Sequence, residues 1–143
     1  QLARSSGAAA SSFVAALRDQ LFAALVASGA QVRDHAAGTV RLPNILSLGL
    51  PLGLDGEVVL AQTPNVAAST GSACNTGTPE PSPVLRSMGL GKAQAEATLR
   101  LSLSRFTTEH DVDQAARALT ATIRSLMTSI EPTQLLQEES SAI

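Results

Sequence analysis

Large aromatic side chains are scarce in this sequence, which has no tryptophan, no tyrosine and three phenylalanines among 143 residues. Its core must therefore be aliphatic. Surfaces that bind single-stranded nucleic acid stack the bases on aromatic rings, so this shortage argues against such a partner. The formal net charge is −2, and Lys and Arg form no cluster of the kind that marks binding to nucleic acid or to an anionic membrane. The sequence predicts neither partner.

Cysteine is nearly absent as well, since Cys74 is the only one. A single thiol excludes an internal disulfide and argues against a zinc site built from cysteines. It also favours a reducing compartment, so we expect the cytoplasm, with the mitochondrion as an alternative. No membrane-spanning helix is expected, because no stretch approaches the roughly 20 apolar residues that one needs. Residues 1–12 resemble a signal peptide poorly.

The length suits one domain with a modest core. Apolar residues recur at helical spacing in 12–28 and 108–129, shorter helices are predicted at 56–62, 83–88 and 93–97, and strands at 31–34, 44–50, 66–69 and 98–104. This order predicts an α+β fold, in which helices cover one face of a small, mostly antiparallel sheet. We expect a domain over residues 1–130 and a flexible tail over 131–143, because Pro132 should prevent the last helix from continuing.

Residues 70–81 surround Cys74 with Gly, Pro, Ser, Thr and Asn. This composition predicts a mobile loop without helix or strand. Reactive thiols lie in polar, partly exposed surroundings, whereas inert ones fill apolar cores. Cys74 is therefore a candidate nucleophile, and a small structural residue is the alternative.

The strand predicted at 98–104 alternates regularly, with three leucines on one face and Arg100 between two serines on the other. A guanidinium can bind a carboxylate through two parallel hydrogen bonds, so Arg100 is a candidate anion-binding residue. The alternative is a solvated arginine on an exposed sheet face. Arg86, His35 and His110 are predicted to be solvated surface residues. The sequence thus offers a nucleophile and an anion site, but no convincing base.

Three linked motifs resemble a known family. The runs STGSAC at 69–74, EPSPVLRSMG at 80–89 and LRLSLSRFTTE at 99–109 are similar to the C-terminal small domain of the pyridoxal-phosphate-dependent cysteine desulfurases and selenocysteine lyases, which have the class V aminotransferase fold of fold-type I enzymes. The resemblance extends from about Leu42 to Leu126. It implies that Cys74 is the catalytic cysteine and that Arg100 binds the substrate's α-carboxylate.

The same resemblance implies a large domain that holds most of the pyridoxal phosphate, and none of that domain's motifs occurs in this sequence. It also implies a homodimer and an acceptor protein for sulfur or selenium. The implied reaction converts L-cysteine or L-selenocysteine into L-alanine, with the cofactor as electron sink and a persulfide formed on Cys74 from cysteine. The chain alone is expected to be inactive and to form no stable aldimine, because Lys92 lies in a predicted surface turn.

Different motifs of the sequence resemble different subfamilies. The spacing from Cys74 to EPS and the run RFTTE resemble the cysteine desulfurases that supply sulfur for iron–sulfur clusters or tRNA thiolation, whereas GEVVLAQ and PSPVL resemble the selenocysteine lyases. The sequence leans towards selenocysteine lyase. Thr70, Asn75 and Ser104 depart from the family pattern by small or polar exchanges. A non-catalytic interaction module and a rhodanese-like sulfur carrier are the alternatives from another class.

Overall fold

The computed structural model describes residues 2–73 and 80–141, with their side chains in 7–71 and 82–130. Helices and strands are interspersed along this part of the chain. The helices are α1 (Leu2–Ala27), α2 (Gly56–Ala61), α3 (Pro83–Ser87), α4 (Lys92–Glu96) and α5 (Glu109–Ser141). The strands are β1 (Arg33–Asp34), β2 (Ile45–Gly49), β3 (Ala68–Thr70), β4 (Ser72–Ala73), β5 (Glu80–Pro81) and β6 (Thr98–Ser102).

A four-stranded sheet in the order β1-β2-β6-β3 is antiparallel at every described pair. One of its faces packs against α1 and α5, which also pack against each other. Leucines supply most of this core, and they alternate along β2 and β6 with polar or small residues that point the other way. The predicted α+β architecture is confirmed. The fully buried leucines include Leu17, Leu25, Leu46, Leu48, Leu99 and Leu119.

Helix α1 begins at Leu2, about ten residues before the predicted start, since the Ala-rich segment ahead of Ser11 favours helix. It ends as predicted, with Gly29 at φ +83° in the left-handed region that glycine adopts readily. The four-residue spacing of Phe13, Leu17, Leu21 and Leu25 predicts Phe13 in the core stripe, with Val14 beside it. Val14 is buried as predicted, but Phe13 is 51% exposed. The stretch Gly7–Ala27 is long and apolar enough to cross a membrane by length and composition, so the prediction that no such stretch exists is wrong. Core helices pass the same test.

Helix α5 begins at the predicted cap. The Thr108 backbone N–H donates to Asp111 Oδ2 at 2.8 Å, and the Asp111 N–H donates to Thr108 Oγ1 at 3.2 Å, which is a capping box. The bonds that the Thr108 backbone N–H and hydroxyl donate to its carboxylate lower the pKa of Asp111. The predicted end at residue 129 is wrong, because the helix continues through Pro132 to Ser141. Proline removes a single backbone donor, and the Leu-, Gln- and Glu-rich residues beyond it favour helix.

The sequence predicts no strand in residues 70–81. This prediction is wrong, because β4 and β5 lie near the two ends of that segment. Ser72 pairs with Pro81 and Ala73 with Glu80 in a short antiparallel ladder. The two-residue ladder closes the segment at its base. Residues 74–79 lie outside the described residues, and so does the prediction that the loop is mobile there.

Candidate functional site

Arg100 lies on the open face of the sheet, opposite the leucine core. It pairs with Ser47 of β2 on one side and with Ser69 of β3 on the other, so hydroxyl groups flank the guanidinium across both neighbouring strands. Nη2 donates to Ser69 Oγ at 3.4 Å. A guanidinium has five N–H donors, and within the described residues this is the only partner that Arg100 has. The remaining donors are free to bind a carboxylate.

His35 continues this row of side chains to the edge strand. Its backbone N–H donates to Ser47 O at 3.0 Å, which places His35 opposite Ser47 and on the same face as Arg100. The imidazole lies over Gly49, where an added Cβ would come within 2.6 Å of Nε2. Only glycine leaves room for the ring at that position. The prediction that His35 is a solvated surface residue is therefore wrong, because the ring is partly buried against β2 and β6.

Thr98 determines how the His35 ring is protonated. The Thr98 hydroxyl donates its single proton to the Gln94 carbonyl at 2.6 Å. His35 Nε2 lies 3.2 Å from the same oxygen, so Nε2 must be the donor in that contact. Burial lowers the pKa of His35, Asp34 opposes the shift and Arg33 adds to it. In neutral solution the ring is consequently an uncharged Nε2–H tautomer, and Nδ1 keeps a lone pair.

An ionic cluster fixes the segment that carries His35. Arg41 donates to both oxygens of Asp34, at 2.7 and 2.6 Å, and the Asp34 side chain is 5% exposed. Arg18 of α1 pairs with Asp19 and donates to the Pro43 carbonyl at 3.0 Å. As a charged residue between the apolar positions of the helix, Arg18 is predicted from the sequence to face water. This prediction is wrong, since Arg18 is buried in the cluster. Both ends of the segment between β1 and β2 are thereby held in place.

A cleft of about 390 Å³ lies beside the imidazole. Its wall is mixed in character, and besides His35 it includes Arg33, Gln94, Pro51 and Met127. The cleft adjoins the row of polar side chains on the open face, so a small polar ligand has access to that end of the sheet.

The base of the cysteine segment is anchored next to Thr98. The Gly71 N–H donates to Thr98 O at 2.9 Å, and Gly71 O accepts from the Ser82 N–H at 3.0 Å. A Cβ on Gly71 would lie 2.3 Å from the Ala95 carbonyl and 2.6 Å from Leu85, so the chain passes tightly over α3 and α4 here. Cys74 itself lies outside the described residues, just beyond β4.

The remaining candidates lie elsewhere. Arg86 is exposed on α3, and His110 is exposed and 3.1 Å from Gln114 Nε2, which matches the surface positions predicted for both. The apolar residues of α3, Val84, Leu85 and Met88, are predicted to face inward. Leu85 is buried, but Val84 and Met88 are exposed, so the prediction is wrong for these two. Sequence patterns missed the environment of His35. Gly49, which ends the alternation of β2, is the signal that could have found it, because a strand glycine often marks a close approach.

Pyridoxal phosphate requires a lysine for its Schiff base. The single lysine of this sequence, Lys92, has a 71% exposed side chain that lies 3.8 Å from Glu96 on α4. The described residues therefore do not form a self-contained pyridoxal phosphate site, and no step through that cofactor follows from them.

Known proteins resemble this chain in sequence and in fold, although no protein-family model matches it. It is 36% identical over 126 residues to the cysteine desulfurase IscS of Anaeromyxobacter sp. (strain Fw109-5), covering 88% of this chain and 31% of that protein. It is 39% identical over 119 residues to the cysteine desulfurase NifS of Azotobacter vinelandii, covering 79% and 28%. The X-ray structure of a NifS-like protein from Rickettsia africae matches with a TM-score of 0.63 and 25% identity, covering 76% and 28%. The chain thus spans less than a third of these relatives.

Proposed function

Because the chain belongs to the cysteine desulfurase family, we propose that it supplies the carboxylate site and the sulfur-accepting cysteine of an enzyme that converts L-cysteine into L-alanine. The motifs alone lean towards selenocysteine, but the curated relatives described above are named cysteine desulfurases, so cysteine is the substrate proposed here. The observation that carries the proposal is Arg100, which is exposed at the centre of the open sheet face and has most of its donors unpaired within the described residues.

Arg100 binds the α-carboxylate of the substrate. The guanidinium can form two parallel hydrogen bonds to the two carboxylate oxygens, while Ser69 Oγ accepts from Nη2 and limits where the group can turn. No described acidic side chain pairs with Arg100 and would compete for it. The open face thus presents the Arg100 guanidinium ready to bind a small anion.

Cys74 accepts the sulfur. In this step the substrate's C–S bond breaks, an S–S bond forms to Cys74, and the substrate carbon takes a proton to give alanine. The carbon is reduced and the two sulfurs are oxidised to a persulfide, so thiol plus cysteine balances persulfide plus alanine without a further oxidant. The anchored ladder at Gly71 sets the point from which the cysteine segment leaves the sheet.

The other parts of the enzyme are proposed on the family relationship alone. Pyridoxal phosphate is held mainly by residues outside this chain, the active enzyme is a homodimer, and a further protein receives the persulfide sulfur. A reducing compartment, the cytoplasm, suits the single reactive thiol.

Replacing Arg100 tests the carboxylate assignment. In the holoenzyme loaded with pyridoxal phosphate, Arg100→Ala should raise the KM for L-cysteine at least tenfold, because a charge-assisted bidentate contact is lost. Arg86→Ala removes an exposed arginine of the same type and serves as the matched control, which should leave KM unchanged. Alanine release under steady-state conditions gives both values. Equal effects of the two substitutions would refute the assignment.

Replacing Cys74 separates the alternatives. Cys74→Ala should abolish alanine release from L-cysteine and the persulfide on the protein. Sulfur uptake from thiosulfate without pyridoxal phosphate would instead indicate a sulfur carrier, and strong preference for L-selenocysteine would restore the selenocysteine lyase assignment. A Cys74→Ala variant with full activity would favour an interaction module.

A further inference from the structure

The proposed function does not use His35, a partly buried histidine next to the edge strand β1. His35 shares the open face with Arg100, and two hydroxyl-bearing residues, Ser47 and Thr98, lie between them on β2 and β6. Neighbouring strands are about 4.8 Å apart, so the Cα atoms of His35 and Arg100 are separated by roughly 10 Å across β2. This Cα separation is comparable with the length of a small amino acid together with the side chains that would bind it.

One nitrogen of the His35 ring is hydrogen-bonded within the structure, and the other can accept a hydrogen bond from a ligand. Nε2 donates to Thr98 Oγ1, whereas Nδ1 has no partner among the described residues. In the same part of the chain no buried side-chain nitrogen or oxygen lacks a hydrogen-bond partner, so Nδ1 is accessible from outside. It is an unpaired acceptor on a ring that Gly49 and Thr98 hold in place beside the open face.

We propose that His35 is a second substrate-recognition residue, whose Nδ1 accepts a hydrogen bond from the thiol of the cysteine held by Arg100. The inference depends on the proposed function, because Arg100 must first hold the carboxylate. A thiol is protonated at neutral pH, since cysteine thiols have a pKa of about 8.5, and it can therefore donate. A selenol is more acidic and is largely an anion, which a neutral acceptor does not bind. His35 thereby favours cysteine over selenocysteine.

The charged groups near the imidazole are few. Arg33 and Asp34 form β1 directly before His35, and Arg100 lies further along the open face on β6. The contacts from β2 and α4 come from Gly49, Ser47 and Gln94, which carry no charge. Asp34 is itself paired with Arg41. Loss of the acceptor at acid pH consequently follows the protonation of His35 itself.

The test compares a substrate that has the thiol with a ligand that lacks it. In the holoenzyme, His35→Ala should raise the KM for L-cysteine roughly three- to tenfold, the effect of one hydrogen bond, with kcat within about twofold. The inhibition constant of L-alanine should not change, because alanine has no thiol. His110→Ala replaces the other histidine of the chain, which contacts only Gln114, and should alter neither constant.

His35→Gln keeps an acceptor oxygen and cannot titrate. The wild-type KM should rise as the pH falls below the usual histidine range, because a protonated ring has no lone pair at Nδ1, and the glutamine variant should show no such rise. This variant also decides the question if the alanine variant does not fold. His35→Ala should lower the preference for L-cysteine over L-selenocysteine, whereas His35→Gln, which keeps a neutral acceptor, should retain it.

Three outcomes overturn the inference: a KM in His35→Ala that matches His110→Ala, an equal weakening of alanine binding, or a pH profile that persists in His35→Gln. The Arg100→Ala variant distinguishes a failure of this inference from a failure of the proposed function. If it weakens both L-cysteine and L-alanine while His35→Ala weakens neither, only the His35 inference fails. If Arg100→Ala changes neither, the proposed function fails.

Discussion

The two faces of β6 differ in almost every physical respect although their residues alternate along one strand. Leu99 and Leu101 are buried against α1 and α5, while Arg100 and Ser102 are exposed on the other side. The buried face gains stability from removing apolar surface from water. The exposed positions of the open face gain little, and Arg100 there keeps guanidinium donors that have no partner among the described residues. Along β6, residues that stabilise the core therefore alternate with residues that can bind a ligand.

Leu99→Ala should have the largest effect on stability. It removes a fully buried side chain and leaves a cavity between the sheet and the long helices, so the free energy of unfolding should fall by about 3 kcal/mol. Urea denaturation measures this loss. A loss below about 1 kcal/mol would mean that the core closes around the gap, and the contrast between the faces would be weaker than the burial indicates.

Gly71→Ala should destabilise through a clash on the other side of the sheet. The new methyl group would meet the Ala95 carbonyl, at 2.3 Å, and backbone cannot move away cheaply, so we expect a loss of about 2 kcal/mol. Gly7→Ala is the control, since nothing lies within 4 Å of that Cβ position and alanine should favour the helix. Equal stability of the two variants would show that β3 and α4 are not tightly joined.

Ser102→Ala should have the smallest effect. Its side chain is exposed on the open face, so the free energy of unfolding should change by less than about 0.5 kcal/mol. The measurement is the same urea transition as for Leu99→Ala, three residues away. A larger change would show that the open face contributes to stability in addition to binding.

The fold was largely predictable from the sequence because its signals are local. Leucine alternation identifies the two faces of β6, and Thr108 with Asp111 marks the start of α5. The environments of Arg18 and His35 were predicted wrongly for the opposite reason. Arg18 binds a carbonyl 25 residues away, and His35 contacts a hydroxyl 63 residues away. Because these partners are distant in sequence, the residues around Arg18 and His35 give no sign of them. Arg18 and His35 therefore resemble ordinary surface side chains in the sequence.

The candidate site was predictable only in part. Arg100 could be found from its position among serines, and the structure adds that Ser47 and Ser69 come from two separate strands. The tautomer of His35 could not be predicted, because it depends on a proton that Thr98 gives to Gln94. The role of Cys74 remains a prediction, since it rests on the family resemblance and not on the described residues.

The Asp34–Arg41 pair makes the turn between them a natural attachment point for a reporter. Gly38 and the fully exposed Val40 lie at its tip, and the ion pair already joins its ends. Once a loop is closed, doubling its length costs only about 0.6 kcal/mol in entropy. A fluorophore or short peptide inserted at residues 38–40 would therefore sit a few residues from His35 and could report ligand binding on the open face without loosening the core.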